Sequence, residues 1–150
     1  MSKKPFVSKE KLDEIAAQYA TPFYLYDEAA IRETARRVNK AFAWNQGFKE
    51  YFAVKATPNP AILKILHEEG CGADCSSYTE LQMADAVGFK GDEIMFSSNA
   101  TPAEDFQLAR QLNVTINLDD ITHIDFLEKV ADIPDTVSCR YNPGAVSYTH

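Results

Sequence analysis

The sequence predicts an α/β protein that forms part of a parallel-stranded (β/α)8 barrel. Three observations predict it. From residue 49 onward, strand-like and helix-like segments alternate in units of about 20 to 25 residues, the rhythm of β/α repeats around a parallel sheet. Within the strands, Val114, Ile116 and Leu118 alternate with Thr115, Asn117 and Asp119; Val137, Cys139 and Tyr141 alternate with Ser138, Arg140 and Asn142; Ala73 and Cys75 alternate with Gly72, Asp74 and Ser76. An open doubly wound sheet is apolar on both faces of its strands, so this one-sided pattern favours a barrel whose interior takes a polar ligand near its carboxyl end. Finally, no glycine-rich phosphate fingerprint follows the first strand, which argues against a dinucleotide-binding fold.

Taken in order, Ser8–Ala20 carries Leu12, Ile15, Ala16 and Tyr19 at helical spacing, with Ser8 as N-cap and Thr21-Pro22 ending it. Phe23–Tyr26 reads as a short aromatic strand. Asp27 then caps a helix from Glu28 to about Phe42, with Arg32, Arg36, Arg37 and Lys40 forming a solvated basic face. The barrel units follow. A strand from Lys49 to Lys55 precedes a helix from about Asn59 to Glu69, closed by Gly70. A strand at Gly72–Ser76 precedes a helix at Tyr78–Val87, closed by Gly88. A strand at Glu93–Ser97 precedes a helix at Pro102–Leu112, capped by Thr101. A strand at Val114–Leu118 precedes a helix at Asp120–Ala131, and Thr136–Asn142 is the fifth strand.

Composition narrows the function classes. With 45% hydrophobic and 25% charged residues over 150 positions, the chain is globular rather than disordered. A formal charge of −7 is a poor footprint for nucleic acid. No apolar run reaches membrane-spanning length, and Met1–Pro5 lacks the apolar segment of a signal peptide, so a cytoplasmic protein is expected. Cys71, Cys75 and Cys139 form no Cys-x-x-Cys pair and read as reduced thiols. His67, Cys71 and Cys75 run from helix through turn to strand without a fourth ligand, so no metal is expected.

The chemistry centres on Tyr51-Phe52-Ala53-Val54-Lys55-Ala56, followed by Pro58 and Pro60. Strand alternation points Tyr51, Ala53 and Lys55 one way and Phe52 and Val54 the other. A lysine ending a buried strand is costly unless its charge is paired or its amine is used as a nucleophile toward a carbonyl. Ala53, one step below on the same face, leaves room for a flat ring. Asp74 and Arg140 are expected to point inward from the second and fifth strand ends. There a carboxylate balances charge at the amine, and a guanidinium pairs with a carboxylate or phosphate.

These residues resemble a known family. Tyr51–Ala56, followed by Gly72-Ala73-Asp74-Cys75-Ser76-Ser77 and Glu80-Leu81, is similar to the alanine-racemase-like barrel of the pyridoxal-phosphate (PLP) decarboxylases, which include diaminopimelate, ornithine and arginine decarboxylases. Thr21–Asp27 resembles the lead-in strand of diaminopimelate decarboxylases. Phe96-Ser97-Ser98-Asn99 and Arg140-Tyr141-Asn142-Pro143-Gly144 sit where the family has its third and fifth strand ends. The resemblance covers residues 10 to 144.

It implies that Lys55 carries PLP as an internal Schiff base and that its freed amine moves a proton. It also implies that Ala53 and Asp74 line the cofactor pocket and that Arg140 positions its surroundings. The implied reaction is decarboxylation of an amino acid, with meso-diaminopimelate to L-lysine foremost. Ornithine, arginine or lysine decarboxylation is the alternative, or a PLP-binding barrel without turnover. Ser77-Tyr78-Thr79 departs from the glycines that many diaminopimelate decarboxylases carry there. The expected organisation is a lead-in of helix, strand and helix over residues 1–48, five of eight barrel units over 49–144, and a non-native tail at 145–150. The family's later strands and second domain have no counterpart in these residues, so the chain alone is expected to be inactive, with a homodimer formed by the complete enzyme.

Overall fold

A computed structural model gives the fold and describes residues 4–141. Its centre is a parallel sheet in the order β1-β2-β3-β4-β5, formed by Tyr51–Ala53, Gly72–Cys75, Ile94–Phe96, Thr115–Leu118 and Ser138–Cys139. Six helices accompany it: α1 (Lys9–Gln18), α2 (Glu28–Ala41), α3 (Pro60–Glu68), α4 (Tyr78–Val87), α5 (Ala103–Gln111) and α6 (Thr122–Ala131). Spatial order follows chain order, as in β/α units added one after another to the same edge. The result is a mixed α/β architecture consistent with an incomplete barrel.

One face of the sheet carries the core. Ala73, Cys75, Ile94, Phe96, Ile116 and Leu118 point into it and meet Leu63, Leu81, Ala84, Phe106, Ala109 and Leu127 from α3 to α6. Phe96 and Phe106 meet edge to face, with ring centroids 6.2 Å apart. Each fully buried large side chain contributes about 1.5–3 kcal/mol, so this layer dominates stability. The opposite face presents Asp74, Met95, Thr115, Asn117 and Ser138, all half-buried, as the alternation predicts.

Local signals set the helix ends. Ser8, Asp27, Asn59 and Ser77 each accept a hydrogen bond from a backbone amide of the turn that follows. Gly70 and Gly88 follow α3 and α4 at φ +82° and +121°, where a side chain would be strained. Thr101 does not cap α5. Pro102 holds the N-cap position without a side-chain bond, and the Thr101 hydroxyl is buried without a partner. At α6 the Asp120 carboxylate accepts from both the amide and the hydroxyl of Thr122, so the helix begins two residues later than predicted.

The lead-in departs from expectation in three ways. Phe23–Tyr26 is not a strand, because a strand needs a ladder partner and none of the described strands pairs with it. Tyr24 is 88% exposed. Helix α1 forms with the expected period yet buries none of its residues. The basic face of α2 is not simply solvated. Arg32 donates to Glu68 Oε2 at 2.7 Å and Glu69 Oε1 at 3.0 Å, and Arg36 Nε to Glu69 Oε2 at 2.6 Å. These ion pairs fasten α2 to the end of α3, and the Asn39 amide adds a bond to the Glu69 carbonyl at 2.9 Å.

Strand β5 is shorter than predicted, and Cys139, expected on the covered face, is exposed. It lies on an edge that pairs only with β4. The predicted turn residues Asn142, Pro143 and Gly144, and the tail 145–150, lie outside the described residues. Among the described residues no helix is long and apolar enough to cross a membrane, and no group of His, Cys, Asp or Glu is arranged to hold a metal ion.

Candidate active site

The uncovered face of the sheet forms a polar hollow of about 310 Å³ lined by Tyr51, Asp74, Met95, Ser97, Asn117, Ser138 and Arg140. Every strand contributes to it, because alternation sends every second residue to this side. Two of the predicted site residues, Asp74 and Arg140, therefore open into one hollow. Ala53 is the cross-strand partner of Asp74 at the end of β1.

Lys55 is placed differently from the prediction. β1 ends at Ala53, and Val54–Ala56 form a single 3-10 turn in which Val54 is fully buried and Lys55 is exposed. The tight turn breaks strand alternation, so Val54 fills the core while the lysine leaves the sheet. Lys55 does not line the hollow; it stands two residues along the chain from Ala53, which is paired with Asp74. The lysine is exposed rather than buried as expected, and it makes no ion pair with any described residue.

Around the hollow the polar groups hold one another. The Ser97 hydroxyl donates to Asp74 Oδ1, and the Ser97 amide donates to the Cys75 carbonyl at 2.8 Å. Arg140 Nη1 donates to Asp119 Oδ1 at 2.6 Å, while the Arg140 amide continues the ladder to the Leu118 carbonyl at 2.9 Å. Ser138 Oγ meets Asn117 Oδ1 at 2.8 Å. Tyr51 donates its hydroxyl to the Asp92 carbonyl at 2.6 Å, and burial pushes its phenol above the ordinary value. Below the floor, Cys75 is sealed in the core and burial pushes its thiol up to about 12. At the start of α4, Glu80 accepts from the amide and hydroxyl of Ser76, a structural role at a helix N-terminus. The buried Asp105 carboxylate accepts from the Tyr78 amide at 3.1 Å, and desolvation raises its pKa.

Sequence reasoning missed Ser97 and Asp119 as partners of the two inward ionisable groups. The signal was available: each lies one strand away from its partner on the polar side of the alternation. An apolar cavity of about 510 Å³ between α2, β1 and α3, lined in part by Ile31, Ala35, Phe52 and Leu66, is more enclosed by hydrocarbon but holds none of this polar constellation. The polar hollow is therefore the better candidate for chemistry.

Comparison with known proteins agrees with this placement of the sheet. Residues 28–150 match the family described as pyridoxal-dependent decarboxylase, pyridoxal binding domain. The chain is similar to Protein TabA of Pseudomonas amygdali pv. tabaci, 47% identical over 135 residues, covering 90% of this chain and 31% of that protein. It is similar to the diaminopimelate decarboxylase of Methanothermobacter thermautotrophicus, 36% identical over 140 residues, covering 91% of this chain and 33% of that one. Among solved structures, it superposes on the diaminopimelate decarboxylase of Helicobacter pylori complexed with L-lysine with a TM-score of 0.75 and 33% identity, over 88% of this chain and 34% of that one. The chain thus spans about a third of the length of the curated relatives it matches.

Proposed function

Because the chain belongs to the pyridoxal-dependent decarboxylase family, we propose that it forms the cofactor-binding part of a PLP-dependent amino-acid decarboxylase acting on meso-diaminopimelate to give L-lysine. The observation that carries this reading is that Asp74 and Arg140 open into one polar hollow, with a primary amine, Lys55, that has no ion-pair partner among the described residues just beyond the neighbouring strand end. The residues suit the group. Lys55 offers an accessible nucleophile, Ala53 leaves space opposite Asp74, and the carboxylate and guanidinium are already fixed by hydroxyl and carboxylate partners. When bound, PLP supplies an electron sink for the charge left on the α-carbon as carbon dioxide departs.

The chain's own residues do the rest. Lys55 Nζ is the point of attachment and, when free, carries the proton delivered to the reacting carbon. Asp74 offers a carboxylate on the strand next to β1, and Arg140 presents the guanidinium nitrogens not committed to Asp119. In this reading residues 49–144 hold the barrel units and 1–48 the lead-in, with a homodimer and cytoplasmic location for the whole protein.

One observation supports a second reading. The identity to TabA, whose name specifies no reaction, exceeds that to the diaminopimelate decarboxylase, so decarboxylation of ornithine, arginine or lysine stands as the second reading. Two measurements test the proposal. Borohydride reduction of the PLP-treated chain, followed by peptide mass mapping, should give a pyridoxyl adduct on the Lys55 peptide that Lys55→Ala lacks. A folded chain with no adduct there removes the PLP reading. Carbon dioxide release by the whole protein from meso-diaminopimelate, ornithine, arginine and lysine then decides the substrate.

A further inference from the structure

We infer that Ser97 is a positioning residue for the candidate site: its hydroxyl fixes the Asp74 carboxylate in the orientation used toward the cofactor bound at Lys55. This inference rests on the functional reading above and extends it to a residue that reading does not use. Ser97 follows directly after β3, whose Met95 and Phe96 pair with Asp74 and Cys75. Its amide is anchored to the Cys75 carbonyl at 2.8 Å, so its backbone cannot drift relative to β2. From that anchor its hydroxyl reaches Asp74 Oδ1. One residue therefore grips both the backbone and the side chain of the Asp74-Cys75 step.

The chemistry of the bond is directional. A serine hydroxyl has one proton, and giving it to Oδ1 leaves Oδ2 free to accept from a cationic neighbour. The ionisable side chains that line the hollow with this carboxylate are Tyr51 from β1 and Arg140, which follows directly after β5. Tyr51 spends its proton on the Asp92 carbonyl, and Arg140 is paired with Asp119 from the end of β4. Lys55, beyond Ala53, makes no ion pair with a described residue. One oxygen of Asp74 is thus left to the lysine or to a cation formed there, and the bond to the other favours the carboxylate orientation that presents it. The floor beneath is rigid, since Phe96 and Cys75 are fully buried on either side of the contact.

The test measures PLP capture by the full chain, by equilibrium dialysis of PLP and by the fraction of Lys55 trapped with borohydride. Ser97→Ala removes the hydroxyl and should weaken PLP binding about tenfold, the lower range for a hydrogen bond to a charged group at a half-buried site. Ser97→Thr keeps the hydroxyl on a β-carbon and should restore most of the affinity. A purely structural role predicts no rescue by threonine beyond what packing gives, and a loss that adds to any other. We therefore include Asp74→Asn: if Ser97 acts through Asp74, Ser97→Ala should add almost nothing in that background. Additive losses, or a Ser97→Ala variant that captures PLP like the wild type, overturn this inference while leaving Lys55 as the attachment point. A wild-type chain that traps no PLP on Lys55 overturns the functional reading and this inference with it. Thermal melts of each variant separate a lost contact from a lost fold.

Discussion

Gly72→Ala is a stringent test of how the first two strands meet. A β-carbon built on Gly72 lies 2.6 Å from Tyr51 Cδ1, 2.7 Å from Tyr51 Cε1 and 2.7 Å from the Glu93 carbonyl oxygen. Ordinary contact begins at 3.4 Å, so the new methyl is short by about 0.8 Å on the ring side and 0.7 Å on the carbonyl side. Neither obstacle yields easily. The carbonyl belongs to the backbone leading into β3, and the Tyr51 ring is tied down by its hydrogen bond to the Asp92 carbonyl. Relief requires β1 to part from β2, whose register begins with the Tyr51 and Gly72 pair. Overpacking of this kind costs about 1–3 kcal/mol, and two rigid neighbours place the change in the upper half, about 2–3 kcal/mol. Urea denaturation should show a lower midpoint at unchanged slope. In a Tyr51→Ala background the same substitution should cost less, since the ring half of the clash is gone, while the carbonyl half persists. A Gly72→Ala chain as stable as the wild type would refute this spacing of β1 against β2, and with it the floor assigned to the hollow.

Two further outcomes follow from charge and burial. Arg36 first, then Arg32, holds the Glu69 carboxyl below its ordinary value of 4.5, so the folded state favours the ionised form. Its contribution is complete above that ordinary value and is lost as pH falls through the lowered one. Acidification should release α2 from α3, seen as faster amide exchange in α2, and Glu69→Gln should flatten the acid limb of the stability profile. Among the thiols, Cys139 is exposed whereas burial raises both Cys71 and Cys75, the latter to about 12. At pH 8 a thiol reagent should label one cysteine promptly, and mass mapping should find it at 139; prompt labelling at Cys75 would contradict its sealed position.

Much of this arrangement was legible because it depends on neighbours close in sequence. The caps at Ser8, Asp27, Asn59 and Ser77 need only the next turn, and the alternation in β2 and β4 states which face is covered. The inward direction of Asp74 and Arg140 follows from that alternation alone. What depends on distant partners was not legible. Arg32 and Arg36 find Glu69 more than thirty residues away, so a face that reads as solvated becomes a clamp. Phe23–Tyr26 has the residues of a strand, but pairing makes the strand, and no described strand pairs with it. At Lys55, the pattern of apolar residues fits a strand equally well, yet burying Val54 through a 3-10 turn ends the alternation two residues early.

The agreement between spatial order and chain order in the sheet has a consequence for how this protein is made. Each described strand after β1 pairs with the strand of the unit synthesised just before it, so no pairing among these five strands waits for a distant part of the chain. Loop-closure entropy grows slowly with length, and here every closure spans a single β/α unit. A nascent chain can therefore dock one unit at a time as it leaves the ribosome, each strand using its predecessor as a template. During synthesis the newest strand is an unpaired edge, and among these five strands protection against exchange should be deeper in β2 and β3, which are paired on both sides, than in β5, whose described partner is β4 alone.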